Sequence, residues 1–198
     1  MINKNYFLAV SNLINELISN DYITFLKYNI KSGYPDHYIL QLENNNNITI
    51  DNSIKFFYQN IGSLEIQWNY IKGDENLFGE INIIDLNQFL NLNNDQDYWI
   101  RRFNESNDPE QNEFTKSCKP FDYFNSDEIE IAFFLNSNNI INDELYYFKS
   151  GFGHSKLNLS INEYFDKLIE TKGLVGWQKN LLIGKFEESI SIIKSIFN

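Results

Sequence analysis

Seven consecutive residues, Leu64-Glu-Ile-Gln-Trp-Asn-Tyr70, alternate strictly between apolar and polar, and no other stretch restricts the fold so tightly. A β-strand sends successive side chains to opposite faces, so Leu64, Ile66, Trp68 and Tyr70 share one face while Glu65, Gln67 and Asn69 take the other. This is a half-buried strand whose apolar side needs a second layer over it. Its flanks are equally informative. Upstream, Asp51-Asn52-Ser53 supplies N-capping side chains, and Ile54, Phe57, Tyr58 and Ile61 recur at helical spacing as far as Gly62, which predicts a helix over 53–60 stopped by that glycine. Downstream, Lys72-Gly73-Asp74 makes a turn, and Gly79-Glu-Ile-Asn-Ile-Ile84 forms a second strand with Ile81 and Ile83 aligned. Two further strands, Ile129 to Leu135 and Leu145 to Lys149, complete an antiparallel sheet.

Helices bound the chain at both ends. Tyr6, Phe7, Val10, Leu13, Ile14, Leu17 and Ile18 fall at helical spacing, which predicts an amphipathic helix over 4–19 whose apolar face must dock. Ser160-Ile-Asn-Glu163 is a capping box, in which each side chain satisfies the other residue's backbone N–H. It opens a helix lined by Tyr164, Phe165, Leu168 and Ile169 that stops at Gly173. A last helix is predicted from Gly176 to Phe197, with Trp177, Leu181, Leu182, Phe186, Ile190 and Ile193 facing the core. Tyr22 to Tyr28 and His37 to Leu42 fit short helices or strands equally well, with Gly33-Tyr-Pro35 as a turn between them. The region 91–125 lacks periodicity, holds Pro109 and Pro120, and exceeds an ordinary connection, so it is functional, partly helical or mobile.

With 198 residues, 42% of them hydrophobic, the chain fits one domain with a sizeable core. No apolar run approaches the roughly 20 residues that span a bilayer. Asn12, Asn15 and Glu16 interrupt the start where a signal peptide needs an unbroken apolar core, so the expected location is the cytoplasm. One cysteine, Cys118, and two histidines, His37 and His154, cannot build a Cys/His zinc site or an internal disulfide.

Charge carries the functional signal. The net charge is −11, and residues 74–130 hold fourteen acids against four bases. A field of that sign repels nucleic acid and attracts a cationic partner, speeding encounter. The expected partner-binding residues, acting in steering and at the interface rim, are Asp74, Glu75, Asp95, Asp97, Glu105, Asp108, Glu110 and Glu113. The competing interpretation is a solvated acidic region that keeps the protein soluble. As a hard-cation site the same carboxylates lack the fixed glycine of a calcium loop, and no metal is expected.

No catalytic constellation emerges. Gly151-Phe-Gly-His154 is too short for a dinucleotide fingerprint, and Gly173-Leu-Val-Gly176 lacks the Lys-Ser/Thr of a phosphate loop. His154 has no nucleophile or orienting carboxylate fixed by spacing and reads as a turn or surface residue. Cys118, beside Lys116 and Lys119, has cations that favour a thiolate, against the commoner case of an inert thiol. The aromatics Trp68, Tyr70, Phe133, Phe134, Tyr146, Tyr147 and Phe148 follow the strand alternation and read as sheet core. No cofactor is expected.

The order of these signals resembles the SUKH superfamily, which includes fungal cell-wall-synthesis regulators and many bacterial immunity proteins. The resemblance runs through Ser53-Ile-Lys-Phe-Phe-Tyr-Gln-Asn-Ile-Gly62, Leu64-Glu-Ile-Gln-Trp68, Gly79-Glu-Ile-Asn-Ile83, Pro120-Phe-Asp-Tyr-Phe124, and Tyr164 to Gly173 followed by Trp177-Gln178. It covers roughly 51–180 and implies a single domain over 1–198, with 1–50 as a helical or irregular N-terminal part. The implied fold is α+β: a mixed, largely antiparallel sheet packed with helices, ending in long C-terminal helices. The implied role is non-enzymatic: an immunity protein that binds and neutralises a cognate toxin, whose basic, nuclease-like surface is inferred from charge alone. The alternative is an intracellular protein-interaction scaffold or regulatory adaptor.

Overall fold

A computed structural model describes residues 5–91, 114, 116–125, 129–149 and 153–197. Among these residues the first half of the chain forms α1 (Tyr6–Ile18), β1 (Ile23–Ser32), α2 (Asp36–Asn46), β2 (Thr49–Ile50), α3 (Asn52–Asn60), β3 (Ile61–Lys72), β4 (Glu75–Ile83) and α4 (Leu86–Asn91). The second half forms β5 (Cys118–Asn125), β6 (Ile129–Ser137), β7 (Ile140–Ile141), β8 (Tyr146–Lys149), β9 (Gly153–Lys156), α5 (Ile161–Glu170), α6 (Trp177–Leu182) and α7 (Phe186–Phe197).

The fold is α+β. The strands run in the order β1-β3-β4-β5-β6-β7-β2, and β8 lies beside β6 with β9 beyond it. Every pairing is antiparallel except β2 with β7, so the sheet is mixed. The halves of the sheet meet at a narrow seam, since β4 and β5 share one register pair, Ile83 with Asp122.

β3 behaves as its alternation demands. Leu64, Ile66, Trp68 and Tyr70 are buried, and Glu65, Gln67 and Asn69 are only partly so. Trp68 lies opposite Gly79 on β4, and its indole donates to the Lys172 carbonyl at 2.7 Å. A Cβ at position 79 would lie inside the indole, so glycine is what lets this tryptophan cross β4 to reach the turn after α5.

Helices α1, α3 and α5 cover this face through a knot of rings. Tyr6 packs edge-on against Phe57 (4.9 Å between centroids) and Phe165 (5.0 Å), and Phe57 continues to Phe121 at 5.3 Å. Such pairs add about 1 kcal/mol each beyond the area they bury. The capping box forms as predicted, with Ser160 Oγ accepting from Glu163 N–H and Glu163 Oε2 accepting from Ser160 N–H.

Several expectations need correction. α1 buries Tyr6, Val10, Leu13 and Leu17, a narrower stripe than predicted, and leaves Phe7 and Ile18 exposed. Gly62 does not stop α3: the chain passes directly from Asn60 into β3, where Gly62 gives room for the Ser32 carbonyl of β1. The segment 91–125 contains β5, with Pro120 tolerated because the ladder with β6 shifts register between Pro120 and Asp122. The single last helix is two, α6 and α7, broken at Gly184, whose φ of +75° lies in the left-handed region. The two segments left open between 22 and 50 resolve as strand β1 and helix α2. Pro35 opens α2, and Asn47 closes it at a φ of +50°.

Candidate protein-binding surface

β3 and β4 are joined by a two-residue loop, Gly73-Asp74, closed by the pair Lys72 and Glu75. Gly73 has a φ of +61° at the first loop position, where a type II′ hairpin turn requires it. The tight turn holds Asp74 and Glu75 side by side at the tip of the hairpin, both exposed. Beside them stand Ile71, 55% exposed, and Tyr22, 48% exposed, just ahead of β1. The Ile71 N–H donates to the Tyr22 carbonyl at 3.1 Å, and Lys72 Nζ lies over the Tyr22 ring at 4.7 Å. Asp21, also exposed, adds a third carboxylate to this end of the sheet. Three carboxylates, one lysine and two apolar side chains are thus exposed at this end of the sheet, with the Tyr22 ring beside Tyr70 and Lys72, and with Ile71 alternating to the other face of β3. Exposed aromatic and aliphatic side chains among carboxylates make the tip a candidate contact for a protein partner.

The structure thus brings together two of the eight expected residues, Asp74 and Glu75. Asp95, Asp97, Glu105, Asp108, Glu110 and Glu113 lie outside the described residues. Other acids of 74–130, which were not among the expected partner-binding residues, are buried: Glu80, Asp122 and Glu130. Each has internal partners. Gln67 donates to Glu80 at 2.9 Å, and Glu130 takes the Tyr147 hydroxyl at 2.8 Å together with the Lys149 ammonium. Asp85 is largely covered as well, paired with Lys31 Nζ at 2.5 Å and accepting from the Tyr34 hydroxyl.

Asp122 is the deepest of these groups. Its Oδ1 accepts the Asn82 N–H at 2.9 Å, its Oδ2 accepts the Tyr164 hydroxyl at 2.7 Å, and Gln178 Nε2 donates to the same hydroxyl at 3.1 Å. Burial pushes the Asp122 carboxyl up to about 7, against the opposing pull of these hydrogen bonds. This chain of side chains ties α5 and α6 to the seam of the sheet. The sequence did contain a signal for it: a lone acid inside Pro120-Phe-Asp-Tyr-Phe124 has to be buried with partners or placed at an edge.

The other candidates have structural surroundings. Cys118 is buried, and desolvation lifts its thiol to about 12 despite neighbouring Lys119, so it is held as the thiol. Lys119 is itself buried and donates to the Leu90 carbonyl at 3.0 Å. His154 stands on β9 with its ring stacked on Phe114 at 4.4 Å. Phe133, Phe134 and Tyr147 are buried, but the consecutive burial of Ile131, Ala132, Phe133 and Phe134 shows β6 covered on both faces rather than alternating. Among the described residues no group of three or more His, Cys, Asp or Glu is placed to share a metal ion, and no helix is long and apolar enough to cross a membrane.

No family model and no curated protein matches this chain.

Proposed function

We propose that this chain is a non-enzymatic immunity protein of the SUKH type, acting in the cytoplasm by binding a cognate toxin domain with a basic surface. The observation that carries the proposal is the hairpin tip, which exposes Asp74 and Glu75 together with Ile71 and Tyr22. Two sequence features support it: the order of SUKH-like motifs and the fourteen acids between residues 74 and 130. The exposed carboxylates steer a cationic partner into contact, while Tyr22 and Ile71 add apolar contact area at the tip.

The test is co-expression with the toxin encoded beside this gene, scored by cell survival and by a purified complex. Survival is expected with the wild-type chain, and the variant D74K/E75K should associate at least tenfold more slowly at low salt with a flatter dependence on ionic strength. Failure of the wild-type chain to rescue growth would remove the immunity role. An unchanged on-rate in the variant would remove the hairpin tip from the interface.

A further inference from the structure

The chain itself closes most of the outer edge of β4. The Ile71 N–H donates to the Tyr22 carbonyl, so the odd-numbered residues of β3 bond toward β1 and the even-numbered ones toward β4. The β4 residues whose backbone groups face away from β3 are therefore Asn76, Phe78, Glu80 and Asn82. Three of these are engaged. Asn82 N–H donates to Asp122 Oδ1 at 2.9 Å, Glu80 N–H donates to the Gly173 carbonyl at 2.8 Å, and the Phe78 carbonyl accepts from Val175 N–H at 3.0 Å. Residues 173–175 thus lie along β4 as a short added strand, with Leu174 opposite Gly79. At Gly176, whose φ is +87°, the chain turns away into α6, and a Cβ there would meet nothing within 4 Å. Asn76, exposed and next to Glu75 of the hairpin tip, keeps an outward N–H and carbonyl that have no partner among the described residues.

Side chains around this gap fall on two faces. Phe78 shares the face of Ile71, away from the helices, and Val175 lies opposite Phe78 on the same side. Ile71 is 55% and Val175 40% exposed, with partly buried Phe78 on the strand between them. Glu75 takes the other face, opposite Lys72. Asp21, Asp74 and Glu75 have neither a hydrogen bond nor an ion pair among the described residues, whereas Glu65 and Glu80 on the same two strands are each paired within the chain. An extended segment laid against Asn76 would exchange two backbone hydrogen bonds with it and continue the line of residues 173–175. Its residue opposite Asn76 lies over Ile71, Phe78 and Val175, and the residues before and after it point toward the unpaired carboxylates. The chemistry that fits is an apolar residue between two basic ones. No such triplet occurs in this chain, which disfavours a second copy as the occupant.

We propose that the toxin partner binds by strand addition, an extended basic–apolar–basic segment of it pairing with Asn76 on the outer edge of β4. The inference rests on the toxin-binding reading above and names the part of the toxin that the hairpin tip receives.

Calorimetric titration with the purified toxin encoded beside this gene tests it. Asn76→Pro deletes the outward N–H, which has no role in pairing β4 to β3, while Asn76→Ala keeps it. Binding at least tenfold weaker is expected for the proline variant and within twofold of wild type for the alanine variant, with both circular-dichroism spectra unchanged. Should the proline variant fail to fold, amide hydrogen exchange of the wild-type chain decides the question. The Asn76 N–H is expected to exchange at least tenfold more slowly in the complex than in the free chain. Equal weakening by proline and alanine, no weakening by either, or an Asn76 amide unprotected in the complex overturns strand addition and leaves the toxin-binding reading standing. Absence of binding by the wild-type chain overturns both.

Discussion

The Tyr164 hydroxyl donates to Asp122 at 2.7 Å across the seam of the sheet, so a helix and a strand forty-two residues apart are joined by one buried polar contact. Burial raises the carboxyl to about 7, against roughly 3.9 in an unfolded chain. Between those values the folded state holds a proton that the unfolded state has lost, so this residue's contribution to stability falls as pH rises from about 4 to 7 and is level above that. Asp85, Glu144 and Glu163 act in the opposite sense, because their folded carboxyls are lowered and their contribution is lost as pH falls. The difference in stability between the wild-type chain and Asp122→Asn isolates the first group. Measured by urea melts, it should change by about 1 kcal/mol per pH unit within that window, in the direction of a wild type progressively weaker relative to the variant. A difference that does not vary with pH would show that Asp122 does not titrate there.

Gly79→Ala places a methyl group within the Trp68 indole. The ring is held on the far side by its bond to the Lys172 carbonyl, so it cannot move aside without breaking that bond. Overpacking of this kind costs about 1–3 kcal/mol, and the melting midpoint should drop accordingly with a shift in tryptophan emission.

Ser160→Ala removes the oxygen that accepts the Glu163 N–H at the start of α5. A loss of about 1 kcal/mol in urea-induced unfolding is expected, with little change in m-value.

Cys118 should resist alkylation by iodoacetamide at neutral pH. It is buried and its thiol lies near 12. Modification is expected to become fast only in denaturant, and rapid labelling of the folded chain would contradict the position assigned to it.

Charge reversal at Asp74 and Glu75 should leave the melting midpoint nearly unchanged, within about 0.5 kcal/mol of stability, because both side chains are exposed. That separation of stability from binding makes the hairpin tip a clean site for testing association.

What could be read in advance follows from where each element sits. β3 is buried on one face, so its alternation is written in the residues themselves, and the capping box needs only residues 160 and 163. β1 carries no period of two because it is exposed along most of its length at the edge, and its identity comes from pairing with β3. β5 was hidden for the opposite reason. Lys119 and Asp122 look like surface residues, but they are satisfied by the Leu90 carbonyl, the Asn82 N–H and the Tyr164 hydroxyl, which are distant in sequence. Gly184 interrupts an apolar spacing that runs on through it, so the break between α6 and α7 depends on one backbone angle. At the candidate site, the turn that presents Asp74 and Glu75 was legible, whereas the burial of Glu80, Asp122 and Glu130 was a matter of tertiary packing.

The single register pair between β4 and β5 divides the sheet into two ribbons. Ile83 and Asp122 form the one backbone register pair there, beside the bond from Ile84 N–H to the Phe121 carbonyl at 3.0 Å. The β1–β3–β4 ribbon and the β5–β6–β8 ribbon each keep their own register on either side of it. At the seam the two ribbons are therefore joined by side chains as much as by backbone, through Asp122 to Asn82 and to Tyr164.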